Sequence, residues 1–330
     1  MWALVNALIT IGMLIVVPVG LRLVGLGGAV TRFWPIAALA GASSLWLPRG
    51  AAATGLAVVY ALAASALALQ AIRPQPARRE RTRRGWAEPI ARARPAWGEP
   101  TARVRLALAK STAWMGPGLG DAAVRARFGW RERIALGTAL AGPVIAGGAL
   151  VAERGGYRLF GFELGVLTLT VAHFHFAGFA AALIAGLHRR LAPGRLADAA
   201  VLTVPAGTLL VLAGYFTSEF VELAGALVLT AGMWAMGWST WRHARTQVAD
   251  RLTAGLLATS ALVLAVSMVL AVSWALGEAT GLPHPSLAWM AATHGVANAL
   301  GFAVCGLAAY TRLRLAAGPD GVPPRMLARS

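Results

Sequence analysis

The sequence predicts an all-α bundle of membrane-spanning helices, and composition is the first reason. Hydrophobic residues make up 58% of the 330 residues and charged residues 13%, whereas soluble domains average about 45–50% and about 25%. A soluble domain of this length has too little interior for so much apolar surface, which excludes a large soluble enzyme. The same high apolar content excludes a chain that is disordered throughout. Two further observations, the length of the apolar stretches and the placement of the basic residues, support the same fold class.

Nine stretches approach the length that a bilayer requires, about 20 predominantly apolar residues. A Leu-Pro-Arg-Gly break at residues 47–50 separates the second stretch from the third. The nine predicted spans are 2–21, 33–48, 51–72, 134–151, 160–187, 199–217, 220–241, 252–276 and 287–311.

The basic residues predict how these spans are oriented. Cytoplasmic connections collect Lys and Arg, and alternate connections of the nine-span chain hold 27 of the 30 basic residues. This asymmetry predicts an N-terminus outside and a C-terminus inside. The predicted regions are three spans in 1–72, a basic cytoplasmic loop in 73–133, a six-helix core in 134–314 and a cytoplasmic tail in 315–330.

The basic loop 73–133 carries fifteen of the arginines and lysines. Its first part, rich in Arg and Pro, is typical of disorder. Residues 78–110 are predicted to contact anionic lipids of the inner leaflet. Residues 101–115 have the pattern of a short basic amphipathic helix that would lie on that leaflet, and the alternative is a solvated linker that only satisfies the topology rule. The net charge of +17 therefore reflects topology, and we expect no nucleic-acid partner.

Ionisable side chains are costly inside a bilayer and mark functional positions by default. In the fifth span, Thr170 precedes His173 and His175, and His173 lies about 16 Å from the outer surface at 1.5 Å per residue. Two histidines at i and i+2 are about 200° apart on a helix. They cannot chelate one ion together from a regular helix, so each needs its own partner.

The ninth span carries the second polar cluster. His294 and Asn298 are four residues apart and share one helix face. They lie about 10 Å and about 16 Å from the outer surface, a depth compatible with that of His173. The two clusters meet if the fifth and ninth helices are neighbours.

Three interpretations of these residues remain open. The side chains satisfy one another through interhelical hydrogen bonds, or they line a cavity that binds or moves a small solute or a proton. Alternatively, His173, His175 and His294 ligate a haem or a metal ion. No His-Glu-x-x-His or other catalytic motif is present, which favours a non-enzymatic role; a scaffold or sensor acting through the basic loop is a further alternative.

Three carboxylates lie near the outer ends of later spans. Glu219 and Glu222 begin the seventh span, and Glu278 precedes the ninth. They either form an acidic outer vestibule to the intramembrane site or serve as solvated charges at helix starts.

The two polar clusters carry a family resemblance. The run Leu169-Thr170-Val171-Ala172-His173-Phe174-His175-Phe176-Ala177-Gly178-Phe179 and the run His294-Gly295-Val296-Ala297-Asn298-Ala299-Leu300-Gly301-Phe302 resemble the YndJ-like family of bacterial integral membrane proteins. The resemblance covers most of the hydrophobic chain. It implies a multi-pass protein of the bacterial plasma membrane, for which a transporter role is suggested, and it names no substrate and no reaction.

Overall fold

The computed structural model describes residues 1–72 and 128–316, and these residues form nine helices. The predicted basic loop and tail, including residues 78–110, lie outside this part of the chain apart from their edges. The helices are α1 (Trp2–Val24), α2 (Ala29–Ser44), α3 (Ala51–Ile72), α4 (Trp130–Arg154), α5 (Leu164–Leu191), α6 (Arg195–Thr217), α7 (Glu219–Gln247), α8 (Arg251–Thr280) and α9 (Leu287–Ala316), with a turn of 3-10 helix at Leu159–Gly161.

Eight of the nine described helices are long and apolar enough to cross a membrane, as in a multi-pass membrane protein. The exception is α2, whose 16 residues extend about 24 Å, against about 30 Å for the hydrocarbon core. It nevertheless packs antiparallel to α1: Trp34 Nε1 donates to the Met13 carbonyl at 3.2 Å, and Asn6 Nδ2 donates to the Leu45 carbonyl at 3.0 Å. The two helices therefore lie side by side over most of their length.

Short polar residues and glycines set where several helices begin and end. The side chains of Ser218, Asp250 and Ser286 accept hydrogen bonds from the free backbone N–H groups at the starts of α7, α8 and α9. Gly25 and Gly281 end α1 and α8 with φ near +70° (72° and 74°), a conformation that glycine adopts without steric cost. These signals confine the turns to the two ends of the bundle.

The fifth helix is the centre of the bundle. In its apolar stretch 72% of the residues are buried, against 28% to 56% in the other seven long helices. It contacts α1, α4, α6 and α9, while α6 and α7 form the most extensively packed hairpin. Side chains on α5 therefore face protein on nearly every side, which restricts where polar groups on this helix find partners.

Three π-helical segments meet in this centre. They are Gly12–Val16 of α1, Phe174–Ala181 of α5 and Ala297–Val304 of α9, and each packs against the other two. A π segment adds a residue to a helical turn and is frequent at functional sites. The fifth and ninth helices are therefore neighbours at the level of the predicted polar clusters.

Candidate functional site

One cavity of about 810 Å³ lies between α1 and helices α5 to α9. It is situated at the end of the bundle where α5, α7 and α9 begin, which we call the mouth end. Apolar and aromatic side chains form most of its wall. Seven of the eight residues predicted for the site and its vestibule line it: Thr170, His173, Glu219, Glu222, Glu278, His294 and Asn298.

Hydrogen bonds from α8 hold the polar pair of α9 in place. His294 Nδ1 lies 2.8 Å from the Ser267 carbonyl, and because a carbonyl oxygen only accepts, Nδ1 carries a hydrogen. Asn298 Nδ2 donates to the His294 carbonyl at 2.9 Å, and the Ser267 hydroxyl donates to Asn298 Oδ1 at 3.1 Å. In neutral His294 the basic nitrogen is therefore Nε2, 3.3 Å from Asn298 Nδ2.

His173 is the least satisfied polar group of the cavity. Its Nε2 is buried and has no hydrogen-bond partner among the described residues. The ring lines the cavity, contacts Phe174 edge-on and lies close enough to His294 for their charges to interact. Buried polar nitrogens are nearly always hydrogen-bonded, so this nitrogen marks an unmet hydrogen bond in the wall of the cavity.

Thr170, one turn before His173, contributes a weaker polar contact. Its hydroxyl donates to the Val166 carbonyl at 2.9 Å, which leaves the oxygen lone pairs as acceptors toward the cavity.

His175 lies outside the cavity, and the structure does not bring it together with the other predicted residues. Its Nδ1 donates to the Val171 carbonyl and its Nε2 accepts from the Tyr60 hydroxyl, both at 2.6 Å. The ring is fully buried beside Gly12, where an added Cβ would stand 2.8 Å from the Cβ of His175. Both nitrogens are occupied, so His175 connects α5 to α3 and has no nitrogen free for a ligand.

Histidine, cysteine and carboxylate side chains are those that could act as ligands of a metal ion or a haem. Within residues 1–72 and 128–316, no group of three or more His, Cys, Asp or Glu side chains is arranged to hold a metal ion. With His175 turned away, only His173 and His294 remain of the three histidines considered as haem or metal ligands.

The three carboxylates line the cavity at the mouth end of the bundle. Glu219 is exposed at the start of α7, while Glu222, one turn further in, is partly buried and close enough to Glu219 and Glu278 for their charges to interact. Glu278 lies 3.2 Å from His284 Nε2. Gly277 provides the space for His284, since a Cβ there would overlap both the Cβ and the ring of that residue.

Aromatic rings accompany these carboxylates. Phe162 packs edge-on against Tyr215 and Phe216, with ring centroids 6.0 Å and 5.7 Å apart, and Trp274 packs edge-on against His284 at 6.5 Å. All five side chains line the cavity. The entrance therefore combines negative charge with the faces and edges of aromatic rings.

A second ionic cluster at the mouth end was not predicted from the sequence. The carboxylate of Glu153, 1% exposed, bonds to both Arg154 and Arg49, the latter at 2.8 Å. Arg154 also donates to the last carbonyls of α2 and its turn, at Ser44, Leu45 and Leu47 (3.3 to 3.4 Å). The adjacent Glu153 and Arg154 at a helix end were the signal in the sequence for this cluster. Counting basic residues by connection instead assigned Arg49 and Arg154 to the solvent.

His188 lies next to two arginines at a helix end, a position that the sequence predicts to be at the membrane interface. It is fully buried at the opposite end of the bundle, where Nε2 bonds to the Ser239 hydroxyl at 2.9 Å. Nδ1 lies 3.3 Å from the Thr240 hydroxyl and 3.5 Å from the Tyr310 hydroxyl. The cluster links α5, α7 and α9 below the cavity, and its nitrogens are already hydrogen-bonded.

Ion pairs close the same end of the bundle. Arg189 bonds to Glu132 and Asp198, and Arg312 bonds to Asp250 at 2.8 Å. Hydrogen bonds from Thr253 and Arg312 hold the pKa of the Asp250 carboxyl well below its usual range. These contacts join helix ends and are remote from the cavity.

Comparison with known proteins gives a family and no closer relative. No curated protein and no solved structure matches the chain. The model of the YndJ-like protein family matches residues 7–302, a range that contains both histidine clusters, the three carboxylates and the cavity between them. The chain belongs to the YndJ-like protein family.

Proposed function

We propose that this protein binds a small solute in the cavity at the mouth end, with His173, His294 and Asn298 as the polar contacts inside. The observation that carries the proposal is the convergence of seven predicted residues, taken from four separate stretches of sequence, on one cavity. His294 and Asn298 bond to each other and to Ser267, as His175 and His188 bond to their own partners. His173 Nε2 has no partner among the described residues, which a purely structural set of polar residues does not explain.

The depth of the polar contacts supports a binding site over a surface groove. Glu278 and Ser267, which holds the α9 pair, are eleven residues apart on α8, equivalent to about 16 Å along the helix. The solute therefore enters between carboxylates and meets the histidines and Asn298 further in, within an apolar wall. Pockets of this kind, mostly apolar with a few convergent polar groups, are the common form of small-molecule sites.

We further propose that the mouth faces the outside of the plasma membrane. The connections after the first, third, fifth and seventh predicted spans, together with the segment after the ninth, contain 27 of the 30 basic residues, and such segments stay on the cytoplasmic side. The connections at the mouth end contain few basic residues, and the solute would thus be taken from the external medium.

Two neighbouring threonines of α5 test access to the cavity. Thr170 lines it, whereas Thr168 is 5% exposed and does not, and both hydroxyls bond to the carbonyl four residues earlier. In a Cys305→Ser background, we expect Thr170→Cys to react with hydroxyethyl methanethiosulfonate at least about tenfold faster than Thr168→Cys, the difference expected for a polar reagent excluded from packed apolar surroundings. The reaction is followed by mass spectrometry on purified full-length protein.

The reagent is itself a small polar solute, so its rate at residue 170 reports entry into the cavity. Equal, slow rates at both positions would overturn the proposed function. Thermal unfolding of both variants shows whether each keeps the fold.

A further inference from the structure

We infer that the solute is an organic monocation, a protonated amine or a quaternary ammonium compound, whose charged group is held at the mouth by Glu222 and Glu278. The inference rests on the proposed function and names the class of ligand for that same cavity. It follows from the charge of the wall, the aromatic rings beside the carboxylates and the spacing of the anionic groups.

The sign of the charge is the first argument. The chain has 30 Lys and Arg residues against 13 Asp and Glu, yet the described residues that line the cavity include three carboxylates and no Lys or Arg. Charge of one sign at an entrance with apolar walls concentrates ligands of the opposite sign. An anionic solute would meet repulsion at the entrance and no fixed cation inside.

The aromatic rings specify what kind of cation fits. Tyr215 and Trp274 line the same entrance as Glu222 and Glu278. Ring faces attract ammonium groups electrostatically, and an alkylated ammonium group loses little hydration when it contacts them. Carboxylates among aromatic rings therefore favour an organic cation over a strongly hydrated inorganic ion.

The spacing of the carboxylates supports the same choice. Metal ions require several ligand atoms within bonding distance, and the described part of the chain contains no such group of side chains. Glu222 is held in position because α6 approaches α7 closely at Gly214, where a Cβ would stand 2.5 Å from the Glu222 backbone. A larger cation of low charge density can interact with separated carboxylates without coordinating either.

A second observation points to a ligand within the same cavity. His173 Nε2 is buried, lines the cavity and has no partner in the described residues. His294 and Asn298 bond to Ser267, which lies about 16 Å beyond Glu278 along α8. They therefore contact the uncharged end of a longer molecule or the bound water behind a shorter one. The charged group is therefore assigned to the mouth.

Three probes of equal size and different charge test the inference. They are choline, the uncharged analogue in which carbon replaces the ammonium nitrogen, and tert-butylacetate, an anion. Binding to the purified full-length protein is measured by equilibrium dialysis. We expect choline to bind at least about tenfold more tightly than either analogue, and the double variant Glu222→Gln/Glu278→Gln to lose that preference.

Glu163→Gln is the matched control. Glu163 is an exposed carboxylate at the same end of the bundle, paired with Arg158 at 2.8 Å, and it does not line the cavity. We expect this variant to keep the preference for choline. Loss of the preference in Glu163→Gln as well would overturn the assignment to the mouth carboxylates, because it would reflect net charge alone.

A kinetic measurement keeps the inference testable without tight binding. At Thr170→Cys we measure the ratio of two reaction rates, that of cationic trimethylammonioethyl methanethiosulfonate over that of the anionic sulfonatoethyl reagent. This ratio should be higher than the ratio for a free thiol in solution. It should fall about tenfold or more in the double Gln variant. A ratio near that of a free thiol overturns the cation inference while the cavity function stands. Failure of the neutral hydroxyethyl reagent at the same cysteine overturns the cavity function itself.

Discussion

The two histidines of α5 differ in what their ring nitrogens meet. His175 bonds to Tyr60 and to its own helix and is fully buried, whereas His173 has a buried nitrogen without a partner in the described residues. A side chain whose donors and acceptors are all used rigidifies the bundle, while one with an unused nitrogen is available to a ligand. The first is therefore structural and the second belongs to the proposed site.

This distinction predicts that removing the hydroxyl group lowers the stability of the protein at one tyrosine and has little effect at another. Tyr60→Phe removes the donor to His175 Nε2 and should lower the free energy of unfolding by about 1–2 kcal/mol, since a buried acceptor is left unpaired. Tyr215→Phe, at the exposed entrance, should change it by less than about 0.5 kcal/mol. Unfolding in denaturing detergent measures both, and equal losses would contradict the structural role of the Tyr60–His175 bond.

At the scale of the elements, glycines determine how closely α6 and α7 approach. Gly207 and Gly214 of α6, and Gly225 and Gly232 of α7, all face the other helix at distances that an added Cβ would not tolerate. Close approach through small residues is a common mode of helix association in membranes. It also fixes the start of α7, where Glu219 and Glu222 lie.

One alanine substitution in this hairpin should therefore destabilise the protein. A Cβ at Gly225 would stand 2.4 Å from the Val211 backbone nitrogen, and overpacking of this kind costs about 1–3 kcal/mol. Gly255→Ala on α8, where nothing lies within 4 Å, should be neutral or stabilising by up to about 1 kcal/mol because alanine favours the helix. The thermal unfolding midpoint should fall in Gly225→Ala and stay the same or rise in Gly255→Ala, and a similar fall in both variants would contradict this packing.

Sequence patterns predicted the nine helices but missed features that depend on packing. The π segments of α1, α5 and α9 have compositions that suit an α-helix equally well, so periodicity contains no signal for the extra residue. Similarly, the i, i+4 spacing placed His294 and Asn298 together, but nothing in the sequence shows that Ser267 of α8 holds both. The polar residues of the cavity were predictable because such groups are rare in apolar stretches. The residues that bond to them were not predictable, because they depend on how the helices pack.

For the whole molecule, the distribution of basic residues and the short length of α2 raise the question of whether α2 crosses the membrane. The 27-to-3 distribution of basic residues predicts nine crossings, yet α2 has only 16 residues. Contacts from Asn6 and Arg154 to the Leu45 carbonyl hold the end of α2 beside the start of α1 and the end of α4. Those contacts favour a short span whose ends are drawn toward the interfaces, since a bilayer thins around a short helix at modest cost.

Labelling of full-length protein in intact cells tests this topology. In the Cys305→Ser background, we expect Leu47→Cys, in the turn after α2, to react with a membrane-impermeant maleimide from outside, because nine crossings place that turn outside. Arg251→Cys, at the exposed start of α8 on the opposite end, should react only after permeabilisation. If Leu47→Cys also required permeabilisation, α2 would not cross and the mouth of the cavity would need reassignment. Reaction at residue 47 together with protection at residue 251 would place the carboxylate entrance on the external surface, where a cationic solute first meets the protein.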